Sequence, residues 1–259
     1  MSDATATIPT IFPREVAQAP DRPLLPLVAR DLRLVIDGRD LVDVEELTIR
    51  DGGPTVVMGP NGAGKSLLLR LLHGLSEPTT GTICWNGAVA DEAARARQAM
   101  VFQRPVLLRR SVAANVDYVL KLRGVARAER PRRVTSWLDL AGLGDLARQP
   151  ARTLSGGEQQ RLAMVRALAT EPRILFLDEP TASLDPASTH AIESLIRTAT
   201  GNGAKIVMIT HDVGQAKRLA EDVVFIHRGR VLEHGPATDF FNQPRSDAAR
   251  AFLAGGLVI

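Results

Sequence analysis

The feature that most constrains the fold is a glycine-rich segment that fits the pattern G-x-x-x-x-G-K-[ST]. It reads Gly59, Pro60, Asn61, Gly62, Ala63, Gly64, Lys65 and Ser66. The apolar run 56–58 before it predicts a short buried strand, and the apolar run 67–75 after it predicts a helix. Between a strand and a helix, backbone N–H groups of such a loop and the helix N-terminus favour phosphate oxygens. We therefore expect a nucleotide site, with Lys65 at the β- and γ-phosphates and Ser66 as a Mg²⁺ ligand.

Two carboxylates follow a second apolar run, which spans residues 174–177 and precedes Asp178 and Glu179. A continuous apolar run is typical of a parallel strand that is buried on both faces. Open α/β sheets bind ligands at the carboxyl ends of such strands. Alone, the pair could be a solvated strand end. Together with the loop it predicts that Asp178 holds Mg²⁺, directly or through water, and that Glu179 orients or deprotonates the attacking water.

A second glycine turn indicates a second anion site. It belongs to the segment Leu154-Ser155-Gly156-Gly157-Glu158-Gln159-Gln160-Arg161, and Ser155 lies 90 residues after Lys65. The turn opens a predicted helix, whose N-terminal amides and dipole favour an anion. One chain needs only one site for one γ-phosphate. We therefore interpret the second site as serving the nucleotide of a partner, which predicts an ATPase that works as a head-to-tail pair.

Together these motifs resemble the ATP-binding cassette (ABC) ATPases, from about Leu27 to Glu233. The resemblance implies that Gln103 is the Q-loop glutamine, which touches Mg²⁺ and the water. It also implies that Asp185, in the sequence Ser-Leu-Asp, belongs to the D-loop and that His211 is the switch histidine at the γ-phosphate. A lone Gln or His is more often an ordinary polar residue, but the order of the motifs favours these roles.

The resemblance also implies a mechanism. Two copies of the chain would sandwich two ATP molecules, and each γ-phosphate would meet Ser155, Gly156 and Gly157 of the other copy. ATP binding would close the dimer and hydrolysis would open it. The expected cofactors are ATP and Mg²⁺. The expected partners are a second copy, transmembrane permease subunits and, indirectly, a solute-binding protein, with no nucleic acid.

Non-transport members of the family fit less well. Chromosome-maintenance ATPases carry long coiled coils between the phosphate loop and the signature, and no heptad run is visible here. Translation factors carry two cassettes in one chain, and this chain shows one. A bare cassette without a membrane domain favours an importer, although some exporters also use separate membrane subunits.

Two departures from the family pattern concern nucleotide binding. The family usually has Thr where this chain has Leu67, so one hydroxyl contact to the phosphates would be lost. The family tends to stack adenine on an aromatic residue in the first strand region, and here Ile36 is the expected substitute. We therefore predict measurable use of GTP.

The predicted fold class is α/β: a P-loop NTPase core with a parallel sheet, a small antiparallel β part and an inserted α-helical signature subdomain. Helix and strand patterns alternate after Asp178, which argues for a parallel sheet with helical crossovers. We expect residues 1–26 to be a poorly ordered, proline-rich tail and residues 27–240 to be the ATPase domain. The helical insert is expected at about 100–161, and residues 241–259 form a C-terminal tail segment.

Composition agrees with this class. The chain has 259 residues, of which 45% are hydrophobic, and no apolar stretch approaches the ~20 residues that span a bilayer. Its start lacks the pattern of a secretory signal, and its single cysteine, Cys84, suits a reducing compartment. The segment 95–152 holds 13 Lys/Arg and 4 Asp/Glu. Such a basic insert could face an anionic membrane or a permease, or it could be a solvated surface. We expect a peripheral protein at the cytoplasmic face of the cell membrane.

The transported substrate is predicted from resemblance alone. Residues 101–116 and the ending 251–256 are similar to tungstate-importer ATPases. The best prediction is therefore import of tungstate or a related molybdate-type oxyanion. Importers of phosphate and of polar amino acids remain as alternatives.

Overall fold

The computed structural model describes residues 23–256 of the chain. Its strands are β1 Leu27–Ile36, β2 Arg39–Ile49, β3 Thr55–Met58, β4 Thr80–Trp85, β5 Ala88–Val89, β6 Gln98–Val101, β7 Ile174–Asp178, β8 Lys205–Ile209, β9 Asp222–His227 and β10 Arg230–Pro236. Its α-helices are α1 Lys65–His73, α2 Glu92–Ala96, α3 Val112–Leu122, α4 Arg130–Leu140, α5 Gly156–Leu168, α6 Pro186–Gly201, α7 Val213–Leu219, α8 Ala237–Asn242 and α9 Asp247–Leu253. Two short 3-10 helices lie at Gly144–Leu146 and Ala151–Thr153.

The strands of the described chain form two sheets. The larger has the order β10-β9-β3-β8-β7-β6. Five of these strands are parallel to one another: β9, β3, β8, β7 and β6. The edge strand β10 is antiparallel to β9. The smaller sheet has the order β2-β1-β4-β5 and is antiparallel. Parallel strands with helical crossovers beside an antiparallel sheet confirm the predicted α/β class.

Strand β7 is buried on both faces, as its continuous apolar sequence predicts. Ile174 and Phe176 pack into the core that includes α1 and the antiparallel sheet. Leu175 and Leu177 point the other way, into the core that includes helices α3 to α6. Successive side chains of a strand alternate between faces, so the strand joins the two cores. Its carboxyl end, Asp178, emerges beside the phosphate loop.

The helical insert follows β6 and consists mainly of α3, α4 and the signature helix α5. Its core includes Trp137, which is 2% exposed. Ser111 caps α3 by accepting a hydrogen bond from the Ala114 amide. The Asn115 side chain ties the preceding loop to α3, because it accepts from the Leu108 amide (2.9 Å) and donates to the Ser111 carbonyl (2.9 Å).

The segments that flank the predicted ATPase domain, residues 1–26 and 241–259, are only partly covered by the described residues. Residues 1–22 of the expected N-terminal tail lie outside the described residues. In the described part of that tail, Leu24 is 7% exposed and belongs to a core. In the expected C-terminal segment, Phe252 of α9 packs against Phe225 of β9 with ring centroids 5.5 Å apart. The domain boundaries stay predictions. Across residues 23–256, none of the helices has the length and hydropathy that a membrane span requires.

Candidate active site

The phosphate loop connects the end of β3 to the start of α1. Lys65, the first residue of α1, turns back over the loop and donates hydrogen bonds of 2.9 Å to the Gly59 and Pro60 carbonyls. Burial lowers the pKa of Lys65, and the nearby Glu179 and Asp178 carboxylates oppose that effect. The ammonium group is therefore held inside the loop, next to the amides that would face phosphate oxygens.

Gly59 is required by a close approach of two strands. Its φ is +151°, and a Cβ at this position would lie 2.0 Å from the Ile226 carbonyl oxygen. That separation is far below van der Waals contact, so no other side chain fits without moving β9. The first glycine of the motif thus serves the packing of β3 on β9.

A turn from the far end of the chain supports the other side of the loop. Gly229, between β9 and β10, donates a hydrogen bond of 2.9 Å from its amide to the Ala63 carbonyl. Its own carbonyl accepts from the Asp43 amide of β2 at 2.8 Å. The turn therefore links the phosphate loop to the antiparallel sheet. The sequence analysis missed this contact, because a Gly in an ordinary hairpin turn carries no signal of its distant partner.

Ser66 and Asp178 meet next to the loop. The Ser66 hydroxyl donates a hydrogen bond of 2.8 Å to Asp178 Oδ1. Burial raises the pKa of Asp178, while the hydrogen bond from Ser66 and the charge of Arg70 oppose the rise. Mg²⁺ binds oxygen ligands and commonly uses one or two protein carboxylates together with substrate phosphates. A hydroxyl and a carboxylate side by side at a phosphate loop fit that ion.

Glu179, Gln103 and His211 form the second cluster of the site. Gln103 Nε2 donates a hydrogen bond of 3.3 Å to Glu179 Oε2, and His211 Nδ1 lies 3.3 Å from the same oxygen. The side chain of Glu179 is 16% exposed, whereas that of His211 is 58% exposed. Three residues from separate parts of the chain thus meet at one carboxylate oxygen. The arrangement can orient a water molecule and accept its proton.

The backbone at Glu179 is unusual. Its φ is +46°, in the left-handed region that a residue with a Cβ enters at a cost of roughly 1–2 kcal/mol. Such conformations persist only when the surrounding structure holds them, and they cluster at functional sites. Asp178 and Glu179 contact different partners, Ser66 for the first and Gln103 for the second, so the two carboxylates can take different roles.

An open cleft of about 250 Å³ lies over the loop. The cleft is lined by Asn61, Gly62, Ala63, Gly64, Lys65, Ser66, Leu67 and Glu179. Leu67 is half-buried and packs against the core. Its aliphatic side chain has no hydroxyl to offer to a phosphate in the cleft. Ile36, at the end of β1, is 46% exposed. The signature residues 154–161 are not among those that line the cleft.

The signature turn begins α5 through a capping box. Ser155 caps the helix, and Glu158 Oε2 accepts hydrogen bonds from the Ser155 amide (2.7 Å) and hydroxyl (2.8 Å). These bonds lower the pKa of Glu158, with the amide bond as the larger cause. The sequence analysis did not use the spacing S-x-x-E, which is the known signal for this cap.

Gly157 lies where the signature turn touches α6. A Cβ on Gly157 would lie 2.3 Å from Ser188 Oγ. Ser188 in turn is bound to Asp185, which caps α6 by accepting from the Ser188 amide (2.9 Å) and hydroxyl (2.6 Å). The signature turn and the D-loop segment are therefore in contact within one chain. The roles predicted for Asp185 and for the signature residues in nucleotide binding stay predictions.

Fold and site together define a class: a P-loop ATPase with a helical insert, in which a strand-end carboxylate faces a phosphate loop. A model of the family described as "ABC transporter" matches residues 42–182. The chain belongs to the ABC transporter family and is an ABC-type ATP hydrolase.

Curated relatives include ATP-binding proteins of several importers. The chain is 40% identical over 238 residues to the phosphate import ATP-binding protein PstB 2 of Natronomonas pharaonis, covering 86% of this chain and 84% of that protein. It is 41% identical over 216 residues to the tungstate uptake system ATP-binding protein TupC of Peptoclostridium acidaminophilum, covering 83% and 99%. It is 36% identical over 225 residues to the methionine import ATP-binding protein MetN of Corynebacterium diphtheriae, covering 83% and 66%.

Solved structures share the fold. The subunit cbiO1 of a Clostridium perfringens ABC transporter complex superimposes with a TM-score of 0.75 at 28% identity, covering 84% of this chain and 90% of that one. An ATP-binding cassette described as a dimer in a post-hydrolysis state, bound to ADP and Pi, gives a TM-score of 0.72 at 28% identity. The latter match covers 82% of this chain and 98% of that one.

Proposed function

We propose that this chain is the ATP-hydrolysing subunit of an importer that takes up a small oxyanion, with tungstate as the first candidate. It would bind separate permease subunits from the cytoplasmic side of the membrane as a peripheral protein. A solute-binding protein would deliver the anion to the permease. The chain itself would touch ATP and the permease but never the transported anion.

The match to the tungstate uptake protein carries the substrate proposal. The alignment reaches 99% of that relative's length at 41% identity, so the similarity is not confined to the nucleotide-binding motifs. The phosphate import relative, at 40% identity, points to the same chemical class, because phosphate and tungstate are both tetrahedral oxyanions. Methionine import relatives at 36–42% identity support a second candidate, import of an amino acid.

The contacts within the two clusters, Ser66 with Asp178 and Glu179 with Gln103 and His211, support the proposed catalytic roles. Ser66 and Asp178 would hold Mg²⁺, with Gln103 near it, and the ion would neutralise charge on the phosphates. Lys65 and the loop amides would hold the β- and γ-phosphates. Glu179 would orient the attacking water and take its proton, while His211 would contact the γ-phosphate and hold Glu179 in place.

A second copy of the chain would complete the site. The signature turn lies outside the cleft of its own chain, which supports the proposal that Ser155, Gly156 and Gly157 act on the partner's ATP. Because each copy would give and receive the same contacts, the pair requires a two-fold axis. The relative solved as a dimer with ADP and Pi supports this arrangement.

The substrate proposal is tested by reconstitution with the permease with which this chain copurifies and with a candidate solute-binding protein. ATP hydrolysis in vesicles is measured while the binding protein is loaded with tungstate, molybdate, phosphate or methionine. We expect stimulation with tungstate at the lowest ligand concentration. Stimulation by methionine alone would overturn the oxyanion proposal and favour the second candidate.

A further inference from the structure

We propose that Thr181 is a positioning residue for ATP hydrolysis and that it acts through Gln215. In this proposal the Thr181 hydroxyl fixes the turn that carries Glu179 against the helix that follows His211. The inference rests on the catalytic roles proposed above for Glu179 and His211. It does not depend on which solute the transporter carries.

A chain of hydrogen bonds connects Thr181 to the interior. Thr181 Oγ1 donates to Gln215 Oε1 at 3.1 Å, and Gln215 Nε2 donates to Glu193 Oε1 at 3.4 Å. Gln215 is fully buried and Glu193 is 3% exposed. This series of hydrogen bonds therefore runs from the loop after β7, through α7, to α6.

The donors and acceptors in this series of hydrogen bonds are fixed by chemistry. An ionised carboxylate can only accept hydrogen bonds, so Glu193 forces Gln215 to present its amide nitrogen. The Gln215 oxygen must then point towards Thr181, and the Thr181 hydroxyl must donate. A hydroxyl whose proton is committed in this way holds a defined rotamer, unlike a free surface threonine.

The inner end of the chain is firmly anchored. Arg218 donates two hydrogen bonds to the Glu193 carboxylate, at 2.6 and 3.2 Å, and Arg197 adds one at 3.2 Å. Burial favours the neutral form of Glu193, but the bonds from Arg218 and Gln215 outweigh it and lower its pKa. Glu193 is thus ionised at neutral pH. Gln215 is held from within through Nε2, and its oxygen accepts from the loop.

The outer end controls the turn at Glu179. Thr181 follows Glu179 by two residues, and its neighbour Ala182 donates a hydrogen bond of 3.1 Å to the Glu179 carbonyl. The left-handed backbone of Glu179 needs such supports to persist. On the facing helix, the backbone N–H of Gln215 donates a hydrogen bond of 2.9 Å to Asp212 Oδ1. Asp212 directly follows His211. The Thr181–Gln215 bond therefore sets the spacing of the two segments whose side chains meet at 3.3 Å.

The matched pair of variants is Thr181→Val and Thr181→Ser. Valine keeps the shape and removes the hydroxyl, while serine keeps the hydroxyl and removes a methyl group. We expect Thr181→Val to lower kcat roughly 10- to 100-fold, because small displacements of catalytic groups cost that much. KM for ATP should stay near the wild-type value, while Tm should fall by several degrees because the buried Gln215 oxygen loses its donor. Thr181→Ser should retain most of kcat.

A double variant tests whether the effect passes through Gln215. Gln215→Met removes both bonds at similar side-chain length. If the residues act as one unit, Thr181→Val with Gln215→Met should lose no more kcat than Gln215→Met alone. Independent, multiplying losses would overturn the proposal, as would a Thr181→Val enzyme with wild-type kcat or equal losses in the Val and Ser variants.

Two further measurements distinguish failure of the Thr181 proposal from failure of the catalytic roles proposed for Glu179 and His211. If Thr181→Val weakens ATP binding in parallel with the loss of kcat, the residue is merely structural and the proposal fails. Glu179→Gln is measured in the same assay. An active Glu179→Gln enzyme would overturn the proposed site itself, whereas an inactive one beside a fully active Thr181→Val would overturn the positioning role alone.

Discussion

The Ser66 hydroxyl donates a hydrogen bond of 2.8 Å to Asp178, which joins the start of α1 to the end of β7 across the phosphate loop. If these oxygens share a Mg²⁺ ion, Ser66→Ala should raise the Mg²⁺ concentration needed for half-maximal ATPase activity by about tenfold or more. A Mg²⁺ titration at saturating ATP measures this. Ser66→Thr, which keeps the hydroxyl, is the control and should stay near wild type. An unchanged titration curve for Ser66→Ala would remove Ser66 from the metal site.

Gly59→Ala should destabilise the fold through a backbone clash. The new Cβ would lie 2.0 Å from the Ile226 carbonyl oxygen, and relieving such an overlap typically costs about 1–3 kcal/mol. Chemical denaturation measures the free energy of unfolding. Gly203→Ala is the matched control, since Gly203 also has a positive φ (+83°) but has no atom within 4 Å of the added Cβ. Equal losses in both variants would show that the contact with β9 is unimportant.

Glu179→Gln should lower the rate of ATP hydrolysis by roughly 10²–10⁴-fold, because the variant can no longer take a proton from water. ATP binding should persist, so the variant should accumulate as a dimer at saturating ATP. Small-angle scattering and steady-state turnover measure the two effects. Glu92→Gln, which changes an exposed residue outside the cluster, should behave as wild type. A strictly monomeric Glu179→Gln protein under these conditions would contradict the two-copy site.

Glu193→Gln should reduce stability in a pH-dependent way. At pH 7 the variant leaves Arg218 and Arg197 without their carboxylate; since both are about half exposed, we expect a loss of about 2 kcal/mol, below the range for fully buried pairs. The folded pKa of Glu193 is lowered, so its stabilisation is present above the unfolded value of about 4.3 and is lost as pH falls through the folded pKa.

Urea denaturation between pH 3 and pH 8 tests this pH dependence. The difference between wild type and Glu193→Gln should be constant near neutrality and shrink below about pH 4. Glu46→Gln is the control, because Glu46 and Arg30 are 62% and 68% exposed and lie 3.9 Å apart. Exposed pairs of this kind contribute about 0–1 kcal/mol. A difference that grows towards low pH would contradict the assigned ionisation.

Base recognition should be weak at the end of β1. Ile36 is 46% exposed and offers no ring for stacking on adenine. We therefore expect kcat/KM for GTP within about tenfold of the value for ATP, a gap of about 1.4 kcal/mol. Ile36→Tyr should lower KM for both nucleotides by adding a stacking surface, and Ile36→Leu is the size-matched control. A strong preference of the wild type for ATP would contradict this prediction.

Much of the site could be predicted because its signals are local in sequence. The loop from Gly59 to Ser66 has a motif of fixed spacing, and the run before Asp178 is continuous and apolar, so its burial on both faces follows. The approach of Gln103 and His211 to Glu179 could be expected only from the resemblance to a family. Spacing alone does not say which strand ends lie side by side.

The remaining features depend on partners that are distant in the chain. Thr181 and Gln215 are unremarkable in sequence, and their bond exists only because the loop after β7 lies against α7. The left-handed backbone of Glu179 also had no signal, since glutamate has no preference for that conformation. The capping box of Ser155 and Glu158 was available in the spacing S-x-x-E and could have been read directly.

The turn at Gly229 has a consequence for how the chain matures. The backbone of Gly229 forms hydrogen bonds to Ala63 and Asp43. The ribosome adds Gly229 more than 160 residues after the phosphate loop. A nascent chain that has already emerged up to β8 still lacks this brace. The phosphate loop should therefore reach its fully braced form only late in synthesis, after the β9–β10 hairpin has formed.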